Sequence, residues 1–325
     1  MKRLNIAIPT YNRPLYLQRV ISDIVSAIKH GDVEFDVFVF VIDNSDQSHS
    51  RKNLDIVNDF IDDIKISYQK NLYNIGSSNN VLRCFECSDE GYLWIIGDDD
   101  IIHVDAFYNI KLIIDTNTSA AFKFSSNLYS EKFDNTSYSI DDLLGDKQDF
   151  NNYFSNLLFI SSWIFDLDKC SISISDAFIQ GSSSLAPQIF LSLSLLDSGC
   201  SIHHSDMIIA YSDYPDEKSR WDQVLVHNKI LHYLSARLPS VNFIVIRRIN
   251  NCFFGAGYKS FVKRLIMARL AYGDVYPYRI IRNYSLFAFI GEWVINTTLK
   301  VILIAFKNSS FINRLVSSIG CKERI

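Results

Sequence analysis

Cysteine is scarce and scattered in this chain. Cys84, Cys87, Cys170, Cys200, Cys252 and Cys321 are the six among 325 residues. Cys84-Phe85-Glu86-Cys87 is a lone CxxC, with neither a second pair nor a histidine partner, which argues against zinc or redox chemistry. It falls in a predicted helix, where a spacing of three puts both thiols on one side, as core thiols would be. No signal peptide precedes the first strand, so a cytoplasmic setting with reduced thiols is expected. Internal repeats are also missing. Basic residues interleaved with stacking aromatics, the mark of a nucleic-acid surface, are missing too.

Charge is present but unevenly placed. Residues 241–325 carry 13 Lys/Arg against 3 Asp/Glu, a net of +10, while residues 1–240 carry 19 against 33, a net of −14; together they give the overall −4. A basic tail on an acidic body points to an anionic surface such as a membrane. Within the tail, Lys259, Lys263, Arg264 and Arg269 mix with Phe261, Val262, Leu265, Ile266 and Leu270 as in a basic amphipathic helix. Ser285–Phe306 is long and apolar, yet holds Glu292, Asn296 and Lys300. Such a segment suits the membrane interface, with Trp293 near the headgroups, better than a span. The bland alternative is a helical pair packed on the rest of the chain.

Strands and helices alternate through the first half. Leu4–Pro9, Asp36–Ile42, Ile64–Gln69, Tyr92–Ile96 and Ala120–Phe124 read as strands. Leu15–Lys29, Asn53–Ile61, Gly76–Cys87 and Val104–Asp115 read as helices. Pro14 suits a helix first turn. This βαβα order implies an α/β fold with a mainly parallel sheet, flanked by helices on both faces. Residues 125–155 read as a long Ser/Asn/Asp-rich excursion over the site. Leu157–Phe165 is strand-like, Leu185–Leu196 helical, Ile208–Tyr211 a further strand, and Trp221–Leu238 a helix. The expected division is a domain over 1–240 and a helical extension over 241–325.

In parallel sheets, ligands bind beyond the carboxyl ends of the strands. The polar residues gather there: Thr10 to Arg13 after the first strand, Asp43-Asn44-Ser45-Asp46 after the second, Asn71 to Gly76 after the third. The fourth strand ends in Gly97 and three consecutive carboxylates, Asp98-Asp99-Asp100. Clustered carboxylates repel and lose solvation when buried. A hard divalent cation, Mg²⁺ or Mn²⁺, would neutralise them and bridge to phosphates. A solvated acidic turn is the alternative reading.

Taken in order, these segments resemble a family 2 glycosyltransferase of the GT-A fold, over roughly residues 3–125 and more weakly up to about 200. The carriers are Ile8-Pro9-Thr10-Tyr11-Asn12-Arg13, Val41-Ile42-Asp43-Asn44-Ser45, Asn74 to Gly76 with Asn80, and Tyr92 to Ile102 around the acidic triplet. The resemblance implies a donor site made by Pro9, Thr10, Tyr11, Arg13, Asp43, Asn44, Gly76, Asn80 and Asp98. Asp43 would accept hydrogen bonds from the base or ribose. Asp98, Asp99 and Asp100 would hold the metal, Asp99 and Asp100 also counting as catalytic.

Two departures stand out. The commoner pattern has an Asp at the place of Gly97, so the carboxylates here are shifted. Register favours Asp99 as the metal contact, while a literal DxD favours Asp98 and Asp100. The family's later acidic pair, source of the base, aligns with Pro187-Gln188, and glutamine cannot be a base. Candidates for that role are Asp176, His203, His204, Asp213 and Asp216, with Asp213 taken as catalytic. A histidine pair could also give a late metal ligand. Phe159-Ile160-Ser161-Ser162 through Gly181-Ser182 is similar to abequosyltransferase-like members that build bacterial O-antigen.

The resemblance thus implies transfer from a nucleotide diphosphate sugar to a hydroxyl of a lipid-linked oligosaccharide, at the inner face of the cell membrane. A sugar-1-phosphate nucleotidylyltransferase fits less well, because Thr10 to Pro14 contains no glycine for a phosphate loop. A catalytically degenerate binding or assembly protein is the other alternative, with Pro187-Gln188 as its support.

Overall fold

The computed structural model describes residues 1–213, except 31–33, 89, 128–134, 140–141, 143–156, 158 and 182–186. The expected basic tail, its apolar segment, the helix over 221–238, Asp216, Cys252 and Cys321 lie outside the described residues, as does most of the 125–155 excursion.

The first half follows the expected alternation. Strand β1 (Lys2–Thr10), helix α1 (Pro14–His30), β2 (Phe35–Asp43), α2 (Gln47–Asp59), β3 (Ile66–Lys70), α3 (Ser77–Arg83) and β4 (Tyr92–Ile95) come in order. The strand order β3-β2-β1-β4 makes β1 central, and its neighbours β2 and β4 both run parallel to it. A central parallel strand is covered on both faces and is mainly apolar. Accordingly Leu4, Ile6, Ala7 and Ile8 are fully buried, and the one polar side chain among them, Asn5, donates to the Glu90 and Tyr92 carbonyls. On α1, Leu17, Val20, Ile21 and Ile24 form the predicted buried stripe. Pro14 opens α1, where its missing N–H leaves no bond unmade.

Helix α2 begins six residues before the expected start. Gln47 to Lys52 is polar, so periodicity gave no signal there. The start is set by Asp46, whose carboxylate accepts from the Ser48 and His49 N–H groups.

The short strand β5 (Ile101–Ile102), α4 (Ala106–Thr116), β6 (Ala121–Ser125) and β7 (Thr136–Tyr138) follow. After a 3₁₀ turn over Ile160–Ser162 come β8 (Trp163–Asp166), α5 (Leu167–Gly181), α6 (Pro187–Asp197), β9 (Ile202–Ile208) and β10 (Ala210–Tyr211). The sheet continues β4-β8-β6-β9-β7, with β8 antiparallel to both β4 and β6. The expected strand over 157–165 therefore shrinks to β8. Helix α5 was not foreseen, because its run Ser171-Ile172-Ser173-Ile174-Ser175 alternates like a strand. The further strand expected at Ile208–Tyr211 is two pieces. β9 stays in the main sheet and β10 pairs antiparallel with β5.

Cys84 is fully buried and Cys87 partly so; among the described residues the cysteines are free thiols. Burial pushes the Cys87 thiol up to about 12. These are unreactive core thiols, as the sequence suggested.

One glycine sets the approach to β4. Gly91 has φ +78°, and a Cβ there would meet the Arg3 carbonyl oxygen at 2.8 Å and Arg3 Cβ at 2.9 Å. Gly91→Ala is expected to lower the unfolding free energy by about 1–3 kcal/mol in a urea titration. A change below about 0.5 kcal/mol would contradict this packing.

Candidate active site

Parallel pairing brings the carboxyl ends of β1, β2, β3 and β4 to one edge. The ladder runs past the strand ends there: Asn44 N–H donates to the Thr10 carbonyl, and Asn71 N–H to the Asp43 carbonyl. The donor-site residues expected from the sequence lie on this edge or in the loops leaving it, except Asn80, which stands on α3 and donates to the Ile42 carbonyl.

The acidic triplet forms a tight turn, closed by the Asp100 N–H on the Gly97 carbonyl at 3.2 Å. A Cβ at Gly97 would lie 2.7 Å from Asp100 Oδ2 and 3.2 Å from Asp99 Oδ1, so any side chain there would push these carboxyl groups aside. Asp98 and Asp100 are buried, whereas the Asp99 side chain is 24% exposed. The Thr10 hydroxyl donates to Asp98 Oδ2 at 2.6 Å. One Arg13 nitrogen bridges Asp98 Oδ1 at 3.2 Å and Asp99 Oδ2 at 2.6 Å. The Ser161 hydroxyl donates to Asp100 Oδ2 and accepts from the Gly97 N–H.

These contacts do not fully compensate the charge. Burial pushes Asp98 up to about 6, despite the Thr10 hydroxyl and the Arg13 guanidinium, with Asp99 adding to the rise. Burial pushes Asp100 up to about 7, against the Ser161 hydrogen bond, and Asp98 and Asp99 reinforce it. Two carboxyls held this way favour protonation or the arrival of a cation.

The loop after β1 and the start of β2's loop interlock. Asn12 takes φ +56°, its N–H donates to Ser45 Oγ at 2.7 Å, and its side-chain oxygen accepts from the Asp46 N–H at 3.0 Å. Tyr11 stays 49% exposed and Pro9 is half-buried. Asp43 is fully buried and accepts from the Tyr68 hydroxyl and the Ser45 N–H. The carboxylate assigned to base or ribose is therefore engaged within the protein. Asn44, Asn71, Asn74 and Asn80 form an amide network. Asn44 donates to Asn74 at 2.6 Å, and Asn71 donates to Asn80 at 2.7 Å. Gly76 caps α3 with open space beside it.

Asp213 is also brought to the turn. It stands two residues beyond β10, whose pairing with β5 lies next to the residues that follow Asp100. Arg19 joins the two, donating to Asp213 Oδ2 and to the Asp99 carbonyl, each at 2.6 Å. Arg13 and Arg19 both lie over the Tyr16 ring, at 5.9 and 5.2 Å from its centre. Sequence reasoning passed over Arg19 and assigned Ser161 no role. Nothing local in the sequence marked either residue, since Arg13 precedes α1 and a spacing of six does not share a helix face.

Other candidates are not brought there. His203 and His204 sit on β9, three strands from β4 and level with Trp94 rather than with the acidic turn. Both are buried and held below the usual histidine range by that burial. Pro187 and Gln188 do open a helix, α6, as the alignment expected, and both are buried. Asp176 lies on α5.

Residues 5–171, 167 of the chain's 325, match the family described as Glycosyl transferase family 2. The abequosyltransferase RfbV of Salmonella typhimurium is 26% identical over 113 residues, covering 35% of this chain and 33% of that protein. The match thus spans about a third of that relative's length. Among solved structures, TarS 1-349 of S. aureus aligns with a TM-score of 0.58 at 12% identity, over 91% of this chain and 90% of its own. The same fragment in complex with UDP-GlcNAc aligns equally well, at 13% identity. The mannosyltransferase PcManGT from Pyrobaculum calidifontis, in complex with GDP-Man and Mn²⁺, aligns with a TM-score of 0.57 at 10% identity, over 98% and 84% of the two chains. These neighbours share the GT-A arrangement described above. The chain belongs to glycosyl transferase family 2 and is a glycosyltransferase of the GT-A fold.

Proposed function

We propose that this enzyme moves a sugar from a nucleotide diphosphate sugar to a hydroxyl of a lipid-linked oligosaccharide, in bacterial surface polysaccharide synthesis. The observation that carries the donor half is the acidic turn at the strand ends, with Asp98 and Asp100 buried and short of positive charge. Its donors are all oxygen, which suits Mg²⁺ or Mn²⁺. Among the described residues no three His, Cys, Asp or Glu side chains converge on one point. An ion held by Asp99 with Asp98 or Asp100 would complete its shell from diphosphate oxygens and water. Bound there, it would neutralise charge developing on the leaving diphosphate.

The protein's own groups have separate tasks in this reading. Exposed Tyr11 and the loop from Pro9 to Arg13 face the nucleoside, while Asp43, Asn44 and Asn80 hold the floor of the site beneath it. Gly76 leaves space for close approach of the donor. The acceptor hydroxyl attacks the anomeric carbon as its bond to the diphosphate breaks, and its proton must go to a base. With Gln188 unable to take it, we assign the role to Asp213, which its link through Arg19 to the acidic turn supports. Arg19 pairs with its Oδ2 and holds the side chain toward the turn. The abequosyltransferase relative supports a surface-polysaccharide acceptor. The net +10 over residues 241–325 supports a place on the inner membrane surface. Among the described residues no helix is long and apolar enough to cross a membrane.

Calorimetric titration of UDP, CDP, GDP and TDP, with Mn²⁺ and with EDTA, tests the donor half. One nucleotide is expected to bind only with Mn²⁺, and Asp99→Ala to lose that binding at least tenfold, about 1.4 kcal/mol. A folded protein that binds none of the four would overturn the reading. With the donor identified, Asp213→Asn is expected to lower kcat by roughly 10²-fold or more at an almost unchanged donor KM. An unchanged kcat would remove Asp213 as the base.

A further inference from the structure

Resting on that metal-assisted reading, we propose that Arg13 is the resident counter-cation of the acidic turn. Its guanidinium holds Asp98 and Asp99 when no divalent ion is bound, and it competes with the ion for these two carboxylates.

The geometry supports this assignment in three ways. First, one nitrogen of Arg13 takes both carboxylates, at 3.2 and 2.6 Å, which is how a bridging cation would sit. No other basic side chain among the described residues forms an ion pair with Asp98, Asp99 or Asp100. Arg19 donates to the Asp99 backbone carbonyl and pairs with Asp213; on Asp100 it acts through its charge alone, as the weakest of the influences on that carboxyl. Second, Arg13 can leave. It stands in a loop just before α1 and its side chain is 41% exposed, resting on the Tyr16 ring. Its partners are different in kind, since Asp98 is almost sealed and Asp99 is only partly covered. Third, the remaining contacts survive its departure. Thr10 still donates to Asp98 and Ser161 still donates to Asp100, so the turn keeps its shape while its positive charge is exchanged.

The consequence is a site that keeps its carboxylates in register without metal, at the cost of weaker metal binding in the absence of nucleotide. Once displaced, the guanidinium lies beside the place the reading gives to the diphosphate. A donor could then recover the charge that the ion removed from the turn, which couples metal and donor binding.

Binding of Mn²⁺ alone, followed by the loss of the free-ion electron paramagnetic resonance signal, tests the proposal without any turnover. Arg13→Gln removes a unit charge a few ångström from the ion and is expected to bind Mn²⁺ at least about tenfold more tightly than the native protein. Arg13→Lys keeps the charge but loses the planar fork. It should fall between the two, and it serves if the glutamine variant does not fold. Unchanged or weaker Mn²⁺ binding in the variants, with the native protein binding the ion, would overturn the role of Arg13 and leave the metal-assisted reading standing. If neither native protein nor variants bind Mn²⁺, with or without UDP, CDP, GDP or TDP, the metal-assisted reading falls and this proposal with it.

Discussion

The site depends on one crowded turn, in which three carboxylates share the space beyond a single buried strand. Trp94 anchors that strand from below, donating its indole N–H to the Ser161 carbonyl at 2.7 Å. Ser161 then holds the turn from the side, through the Gly97 N–H and the Asp100 carboxylate. Like charges this close are costly unless something compensates them. Everything around the turn answers that cost: a hydroxyl from β1, a guanidinium from the loop before α1, and a second hydroxyl from the 3₁₀ turn. None of these donors is local in sequence, so the turn is a product of the whole sheet.

The same crowding explains the shifted motif. The commoner family pattern places an aspartate at the position of Gly97. In this chain that side-chain space is filled by the carboxyl groups of Asp99 and Asp100. A side chain at residue 97 would require the Asp99 and Asp100 carboxyl groups to turn aside, so the present packing of the turn goes with glycine at that position.

Much of the donor half was legible in the sequence, because it rests on local patterns. Apolar runs give β1, β2 and β4, helical spacing gives α1, and the parallel-sheet rule puts Thr10, Asp43, Asn71 and Asp98 on one edge. What escaped was of two kinds. Helix α5 escaped because serine and isoleucine alternate with a strand-like period while tertiary packing made the segment helical. Ser161 and Arg19 escaped because their roles come from contacts 61 to 194 residues away in the chain, and nothing in their own neighbourhood records those partners. Asp43 was found at the right edge, yet its carboxylate is committed to Tyr68 and Ser45, a contact that no motif encodes. Reading His203 and His204 as possible site residues erred in the other direction, since adjacency in sequence said nothing of the two strands, β8 and β6, between β9 and β4.

The central claim is that the turn is short of positive charge until a divalent ion arrives, and pH exposes this directly. Asp98 and Asp100 sit at about 6 and about 7, above the ordinary 3.8 of an aspartate in the unfolded chain. The metal-free folded state therefore holds extra protons between these limits, and this contribution to stability is lost as pH rises through 6 to 7. Above that window the ionised carboxylates are free to take Mg²⁺; at lower pH protons compete for them. The decisive measurement is the melting temperature with saturating Mg²⁺ and with EDTA, at pH 5.5 and at pH 8. The account predicts a clear Mg²⁺ stabilisation at pH 8 that shrinks sharply at pH 5.5. An equal effect at both values, or none at pH 8, would contradict it.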